Sequence, residues 1–232
     1  MGQGLKPYYE KDGVQIFHAD CREVLPHLPK VDLVLTDPPY GVLAETGSAA
    51  TRRSGGNKDD GRIAWDIAPD KAFMARVMAH GKDAAIWGGC HLELPPTTGY
   101  LIWDKRIDGL NFGEVEFCWT TARFAPRIWR ERAVCVDGGK LHPTQKPRKL
   151  MEWCLQFFPN AQTILDPFCG SGTTLVAAKQ LNRRAIGIEI EERYCEIAAK
   201  RLAQSVFEFD SPNLDRIEAE ALAEKEKDGE AA

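Results

Sequence analysis

The feature that most restricts the fold of this 232-residue chain is the run Ile164-Leu165-Asp166-Pro167-Phe168-Cys169-Gly170-Ser171-Gly172-Thr173-Thr174. Apolar residues lead to an acid, a glycine-rich turn follows, and a helical pattern starts at once. Open α/β sheets bind ligands outside the carboxyl ends of their strands, and such a turn lets backbone and a helix N-terminus approach a ligand closely. It is not the dinucleotide fingerprint, because Leu175 stands where that needs a third glycine, and no Gly-Lys-Ser/Thr follows as in a phosphate loop. Twenty-three residues after Asp166, Gly187-Ile188-Glu189 ends another apolar run on an acid suited to ribose hydroxyls. Together these runs read as a nucleotide-type cofactor site lined by Asp166, Phe168, Gly170, Ser171, Gly172, Thr173 and Glu189.

The rest of the chain repeats this alternation of short apolar runs and helical patterns, which predicts a mixed, mostly parallel sheet with helices on both faces. Strands are expected at Val14–His18, Asp32–Thr36, Asp83–Trp87, Tyr100–Trp103, Glu114–Trp119, Thr163–Leu165 and Ala185–Glu189, seven in all. Helices are expected at Asp70–His80, Pro147–Phe157, Ser171–Leu181 and Glu191–Ala203. A Gly109-containing turn between Tyr100 and Trp119 predicts a hairpin contributing one antiparallel strand. Residues 1–210 form the expected globular unit, with a mobile loop at 41–62 and a flexible acidic tail at 211–232.

A second motif, Thr36-Asp37-Pro38-Pro39-Tyr40-Gly41, follows directly on the apolar run Val31–Leu35. Its residue types suit an exocyclic amine. A carboxylate at Asp37 accepts one N–H and a carbonyl beside a proline accepts the other, leaving the nitrogen lone pair free to attack. Pro38 and Pro39 fix φ and keep the backbone rigid, while Tyr40 offers a face for stacking a base. A bare Asp-Pro-Pro is also what a strand ending in a proline turn looks like.

The formal net charge of −4 says little about partners, because residues 211–232 carry seven acids against three bases and account for all of it. Between Arg123 and Lys149 eight Lys/Arg stand against two acids, with Phe124 and Trp129 interleaved. That is either a nucleic-acid footprint or a solvated face. Seven cysteines, none at CxxC spacing, give neither a disulfide framework nor a zinc site, and no metal is assigned. No apolar leader or stretch of ~18 apolar residues occurs, so a soluble cytoplasmic protein is expected and no membrane partner.

The Asp37-Pro38-Pro39-Tyr40 and Asp166-to-Gly172 motifs resemble the catalytic and cofactor motifs of DNA amino-methyltransferases. Their order, catalytic motif first, resembles the permuted β-class of N6-adenine and N4-cytosine enzymes. Leu141-His142-Pro143-Thr144-Gln145-Lys146-Pro147 resembles the segment that precedes the cofactor motif in this class and closes over the cofactor's methionine end. The resemblance runs from about Val14 to Ala203 and implies a Rossmann-like fold binding S-adenosyl-methionine. Asp37, Pro38, Pro39 and Tyr40 are then the catalytic set. Asp20, His142, Thr144 and Lys146, and Asp37 itself, join the cofactor wall. Asp20 serves equally as a helix cap, and Trp87 equally as core.

Target recognition is expected over about 123–140, with Arg123, Arg127, Arg130 and Arg132, shared with Arg52 and Arg53 of the loop at 41–62. The resemblance implies double-stranded DNA as partner and leaves open a homodimer and a cognate restriction endonuclease. Asp37, where N4-cytosine enzymes usually carry Ser, favours adenine; N4-cytosine methylation, RNA-base methylation and a silent DNA-binding module are the alternatives.

Overall fold

The computed structural model describes residues 6–41, 67–107, 113–132 and 145–204. Residues 42–62 of the loop expected at 41–62, His142, Thr144 and the tail at 211–232 lie outside the described residues.

Val31–Thr36 (β3) carries apolar side chains at consecutive positions, the pattern of a strand covered on both faces. Its Leu33 and Leu35 join one buried cluster with Leu150, Cys154, Leu175 and Ala198, while Val31 and Val34 join another with Val24, Phe73 and Val77. Arg148–Gln156 (α3), Thr173–Gln180 (α4) and Glu192–Ala203 (α5) therefore pack on one face, and Cys21–Val24 (α1) and Lys71–Met78 (α2) on the other. Burying one such aliphatic side chain contributes roughly 1.5–3 kcal/mol, so both layers hold the sheet firmly. Among the described residues no helix is long and apolar enough to cross a membrane.

The remaining strands are Tyr9–Lys11 (β1), Val14–His18 (β2), Gly81–Trp87 (β4), Tyr100–Asp104 (β5), Val115–Thr120 (β6), Arg127–Arg130 (β7), Thr163–Asp166 (β8) and Arg184–Glu189 (β9). The sheet order is β1-β2-β9-β8-β3-β4-β6-β5-β7. β2, β9, β8, β3 and β4 run parallel, and the predicted hairpin β5/β6 places β6 antiparallel against β4.

The sheet has nine strands rather than seven. β1 and β7, the additional two, are short edge strands, and their pairing comes from a neighbour rather than from apolar alternation. β1 turns into β2 through Asp12 and Gly13, both at positive φ (51° and 77°), a hairpin signal present in the sequence. β7 reads Arg-Ile-Trp-Arg and lies within the basic stretch, which hid its register against β5.

The topology also decides where a ligand goes. β3 leads through α2 to β4 on one side, whereas β8 leads through α4 to β9 on the other. β3 and β8 are themselves paired, Leu33 beside Ile164 and Val34 beside Leu165. Chain directions diverging from two adjacent parallel strands open a crevice at their carboxyl ends. Asp37 and Asp166 stand at those ends.

Candidate active site at the sheet's switch point

The two strand ends are joined directly. Thr36 Oγ1, the last side chain of β3, donates to Asp166 Oδ1 of β8 at 2.6 Å, and the Phe168 amide donates to the same oxygen at 3.1 Å. Asp166 is buried, and burial raises its pKa against the opposing pull of these hydrogen bonds. At the end of β9, Glu189 accepts from the Gly170 amide through Oε2 (2.9 Å) and from the Glu191 amide through Oε1 (2.8 Å). Burial pushes its pKa up as well. Each carboxylate oxygen has two acceptor positions, so both acids brace the Pro167–Ser171 turn and keep capacity for a ligand.

A cavity of about 420 Å³ opens over these ends. Asp20, Asp37, Pro38, Pro39, Tyr40, Lys146, Asp166, Phe168, Gly170, Ser171, Thr173 and Glu189 all line it, so residues expected from separate motifs share one wall. Gly172 does not line it. That residue sits at φ +78°, and a methyl there would stand 2.7 Å from Ala198 Cβ, so its small size serves the close approach of α4 and α5. Asp20 lines the cavity and also caps α1 by accepting the Arg22 amide at 2.8 Å, which makes the two readings of it compatible. Trp87 is fully buried core.

The catalytic motif has a different electrostatic setting. Asp37 accepts a hydrogen bond from the Tyr40 hydroxyl and, through Oδ2, one from Lys146 Nζ at 2.5 Å. Burial pushes its carboxyl up to about 6; Lys146 opposes this and the charge of Glu116 adds to it. Lys146 lines the cavity, but its ammonium is directed to two carboxylates, Asp37 and Glu116 (2.9 Å to Oε2). Lys146, expected on the cofactor side, thus meets the carboxylate of the Asp37 motif in the wall of the same cavity.

Tyr40 lies against Gly88 and stacks on His91 with centroids 5.3 Å apart and planes 28° apart. Gly88 has φ +65°, and a methyl there would come within 2.0 Å of Tyr40 Cε1. A Gly88→Ala variant is therefore expected to lose about 1–2 kcal/mol for the left-handed backbone alone. It should lose about 10²-fold in turnover as the displaced ring misplaces Asp37. Thermal unfolding and single-turnover rates on one preparation would check this; a rate drop no larger than the stability loss implies would rule out a role for the ring's position.

Similarity to known proteins accords with this geometry. The profile of a family described as DNA methylase matches residues 102–200. Type II methyltransferase M2.DpnII of Streptococcus pneumoniae is 56% identical, covering 85% of this chain and 92% of the relative. Type II methyltransferase M.ScaI of Streptomyces caespitosus is 28% identical over 87% of this chain and 86% of its own. The chain belongs to the N6/N4 DNA methylase family. The crystal structure of the M1.HpyAVI–SAM complex superposes on the methylase with a TM-score of 0.56 at 25% identity, covering 82% of this chain and 98% of that one.

The methylase depends on S-adenosyl-methionine, and its cavity fits that cofactor. Five carboxylates in the wall, Asp20, Asp37, Asp166, Glu189 and Glu191, complement a cationic sulfonium and offer acceptors for ribose hydroxyls and an adenine amine.

Some functional features of the methylase carried no local signal. Arg201 of α5 donates to the Ser171 carbonyl (2.7 Å) and to Thr173 Oγ1 (3.1 Å), bracing the glycine turn from 30 residues away. Glu116 sits in β6 with nothing in its neighbourhood to mark it. Gln145, in the cavity wall, accepts from Ser171 Oγ at 3.3 Å and was within reach as a neighbour of Lys146. Arg123, Arg127, Arg130 and Arg132 are exposed along and beside edge strand β7, away from the cavity lining, and Arg130 lies 3.4 Å from Asp104. Arg52 and Arg53 lie outside the described residues.

Proposed function

We propose that the methylase acts on the N6 amine of an adenine rotated out of double-stranded DNA at a specific sequence. The observation that carries this reading is the position of the Asp37 carboxylate, an ionisable acceptor in the wall of the cavity that Asp166 and Glu189 also line. When bound, S-adenosyl-methionine supplies an electrophilic methyl on a positively charged sulfur. Asp37 accepts one N–H of the exocyclic amine and the Pro38 carbonyl accepts the other, which directs the nitrogen lone pair along the line of attack. With its carboxyl pushed up to about 6, Asp37 is predominantly anionic at neutral pH. A carboxylate and a carbonyl there stabilise the positive charge that develops on nitrogen.

Base rotation costs a few kcal/mol, and stacking on Tyr40 returns ~1–3 kcal/mol of that. On the cofactor side, Glu189 holds ribose hydroxyls and Asp20 the adenine amine. Asp166, Phe168, Gly170, Ser171 and Thr173 shape the turn against the methionine moiety, with His142 and Thr144 completing it. Arg123, Arg127, Arg130 and Arg132, joined by Arg52 and Arg53, contact DNA phosphates, which provide affinity more than specificity. A restriction-modification setting belongs to the same reading.

Asp rather than Ser at position 37 supports adenine over cytosine. Incubation with labelled S-adenosyl-methionine and unmethylated bacterial DNA, followed by digestion to nucleosides, tests this directly. Label is expected in N6-methyl-2′-deoxyadenosine. Label in N4-methylcytosine overturns the base, and unlabelled DNA despite cofactor binding overturns the reading as a whole.

A further inference from the structure

Glu116 contributes no atom to the cavity wall, yet it faces the same ammonium as Asp37. Lys146 Nζ lies 2.5 Å from Asp37 Oδ2 and 2.9 Å from Glu116 Oε2, and Lys105 Nζ lies 2.7 Å from Glu116 Oε1. Carboxylate and ammonium thus alternate in the order Asp37, Lys146, Glu116, Lys105. All four are largely withdrawn from solvent, with side chains 15%, 5%, 27% and 14% exposed.

A buried lysine paired with one carboxylate alone would engage it as strongly as a charge-assisted hydrogen bond allows, and would spend that carboxylate's power to accept from anything else. A second carboxylate on the same nitrogen divides the ammonium between two partners. We infer that Glu116 is a positioning residue for methyl transfer: by sharing the Lys146 ammonium it keeps Asp37 oriented and still strongly accepting toward the substrate amine. The inference rests on the reading of Asp37 as the amine's acceptor.

The charges around the pair support it. Asp37 is faced by Lys146 and the Tyr40 hydroxyl, with Glu116 and Asp166 acting on it at longer range and the Cys118 thiol nearby. Glu116 is faced by Lys146 and Lys105, with the Cys90 thiol at the periphery. Burial alone would raise Glu116, but the two lysines outweigh it and hold the carboxyl down to about 2. Glu116 is therefore charged throughout the range in which Asp37 titrates, and its field raises the Asp37 value steadily. Protonation of Asp37 removes the acceptor, so the rate should fall on the acid side as pH drops through about 6.

The test compares pH profiles of single turnover, at saturating cofactor and DNA, for wild type, Glu116→Gln, Glu116→Asp, Lys105→Met and Asp37→Ala. Glu116→Gln removes the anion and leaves Lys146 to Asp37 alone. Its acid limb should move down by about one pH unit, and its rate at neutral pH should fall on the order of tenfold, below the 10² that a misplaced group can cost. Cofactor affinity should stay unchanged. Glu116→Asp, which keeps the charge, should return the limb toward wild type. Lys105→Met makes Glu116 lean wholly on Lys146, so its limb should move up.

Opposite movements from two neighbouring variants are not what general destabilisation produces. A wild-type limb and rate in Glu116→Gln overturn the inference while Asp37→Ala remains inactive. Should Glu116→Gln fail to fold, Lys105→Met decides alone, and a limb that stays or moves down overturns the inference. Wild-type turnover by Asp37→Ala instead removes the reading of Asp37, and the inference falls with it.

Discussion

Asp37→Ala is expected to lower methyl transfer by at least about 10²- to 10³-fold, the cost of removing one preorganised hydrogen-bonding group from a reacting centre, while the cofactor still binds. The structure separates these effects. Asp166 and Glu189 brace the glycine turn through Thr36, Phe168, Gly170 and Glu191, and none of those hydrogen bonds runs through Asp37. Lys146 keeps Glu116 as a partner at 2.9 Å, so removing Asp37 does not leave a buried ammonium without a counter-charge. Single-turnover transfer to duplex DNA, with cofactor affinity from titration of the same sample, checks both halves. Turnover at the wild-type rate would contradict Asp37 as acceptor. Lost cofactor binding would mean that the carboxylate is part of the cofactor wall first and of the catalytic set second.

The complementary variant, Asp166→Ala, is expected to fail at the other step. Two donors, Thr36 Oγ1 and the Phe168 amide, lose their acceptor in a buried place, at about 1–3 kcal/mol each. If one such increment is felt by the bound turn, affinity for S-adenosyl-methionine falls by about one to two orders of magnitude, since ~1.4 kcal/mol is tenfold. Stability should fall too, and with a defined pH sense. The raised pKa of Asp166 means that the folded protein holds this proton more tightly than the unfolded chain does. Its contribution to stability is therefore greatest at low pH and is lost as pH rises through the folded-state pKa. The variant's deficit in denaturant unfolding should accordingly be larger in acid than at neutral pH. A deficit growing toward neutral pH would show that the charged form is the one the fold favours. With transfer failing in one variant and binding in the other, the division of labour between the ends of β3 and β8 becomes measurable.

That division is built from two distinct uses of burial. Asp166 and Glu189 are satisfied by backbone amides and a hydroxyl, neutral donors that fix geometry without a counter-charge. Asp37 is satisfied by an ammonium and a phenol, and its carboxyl is pushed up to about 6. Such a value lies close to neutral pH, the range in which a group is both ionised and responsive to its neighbours. Asp37 is thus set apart from Asp166 and Glu189 by its partners.

Much of this was legible in the chain before any coordinates. The interior strands, the helices of both layers and the antiparallel β6 follow from apolar periodicity and from glycine and proline punctuation, which are properties of residues a few positions apart. The two motifs were legible for the same reason: Asp37-Pro38-Pro39-Tyr40 and the Asp166-to-Thr173 turn are each contiguous, and each ends a strand. The edge strands were harder. Arg127–Arg130 has no alternation of its own and becomes a strand through its pairing with β5.

What the sequence by itself determined, then, is that two acid-ended strands feed a rigid proline turn and a glycine turn, the parts of a methylase. Only the tertiary structure decided which groups these acids meet. Thr36 and Asp166 are 130 positions apart, Asp37 and Lys146 are 109 apart, and Glu116 reaches the second pair from a third strand. Parallel pairing brings such distant segments side by side, and the low dielectric of the interior then makes each meeting of charges count. Local pattern cannot encode those distances. The pairing of Lys146 with Asp37 and Glu116 emerges only once β3, β6 and the segment leading into α3 are packed together.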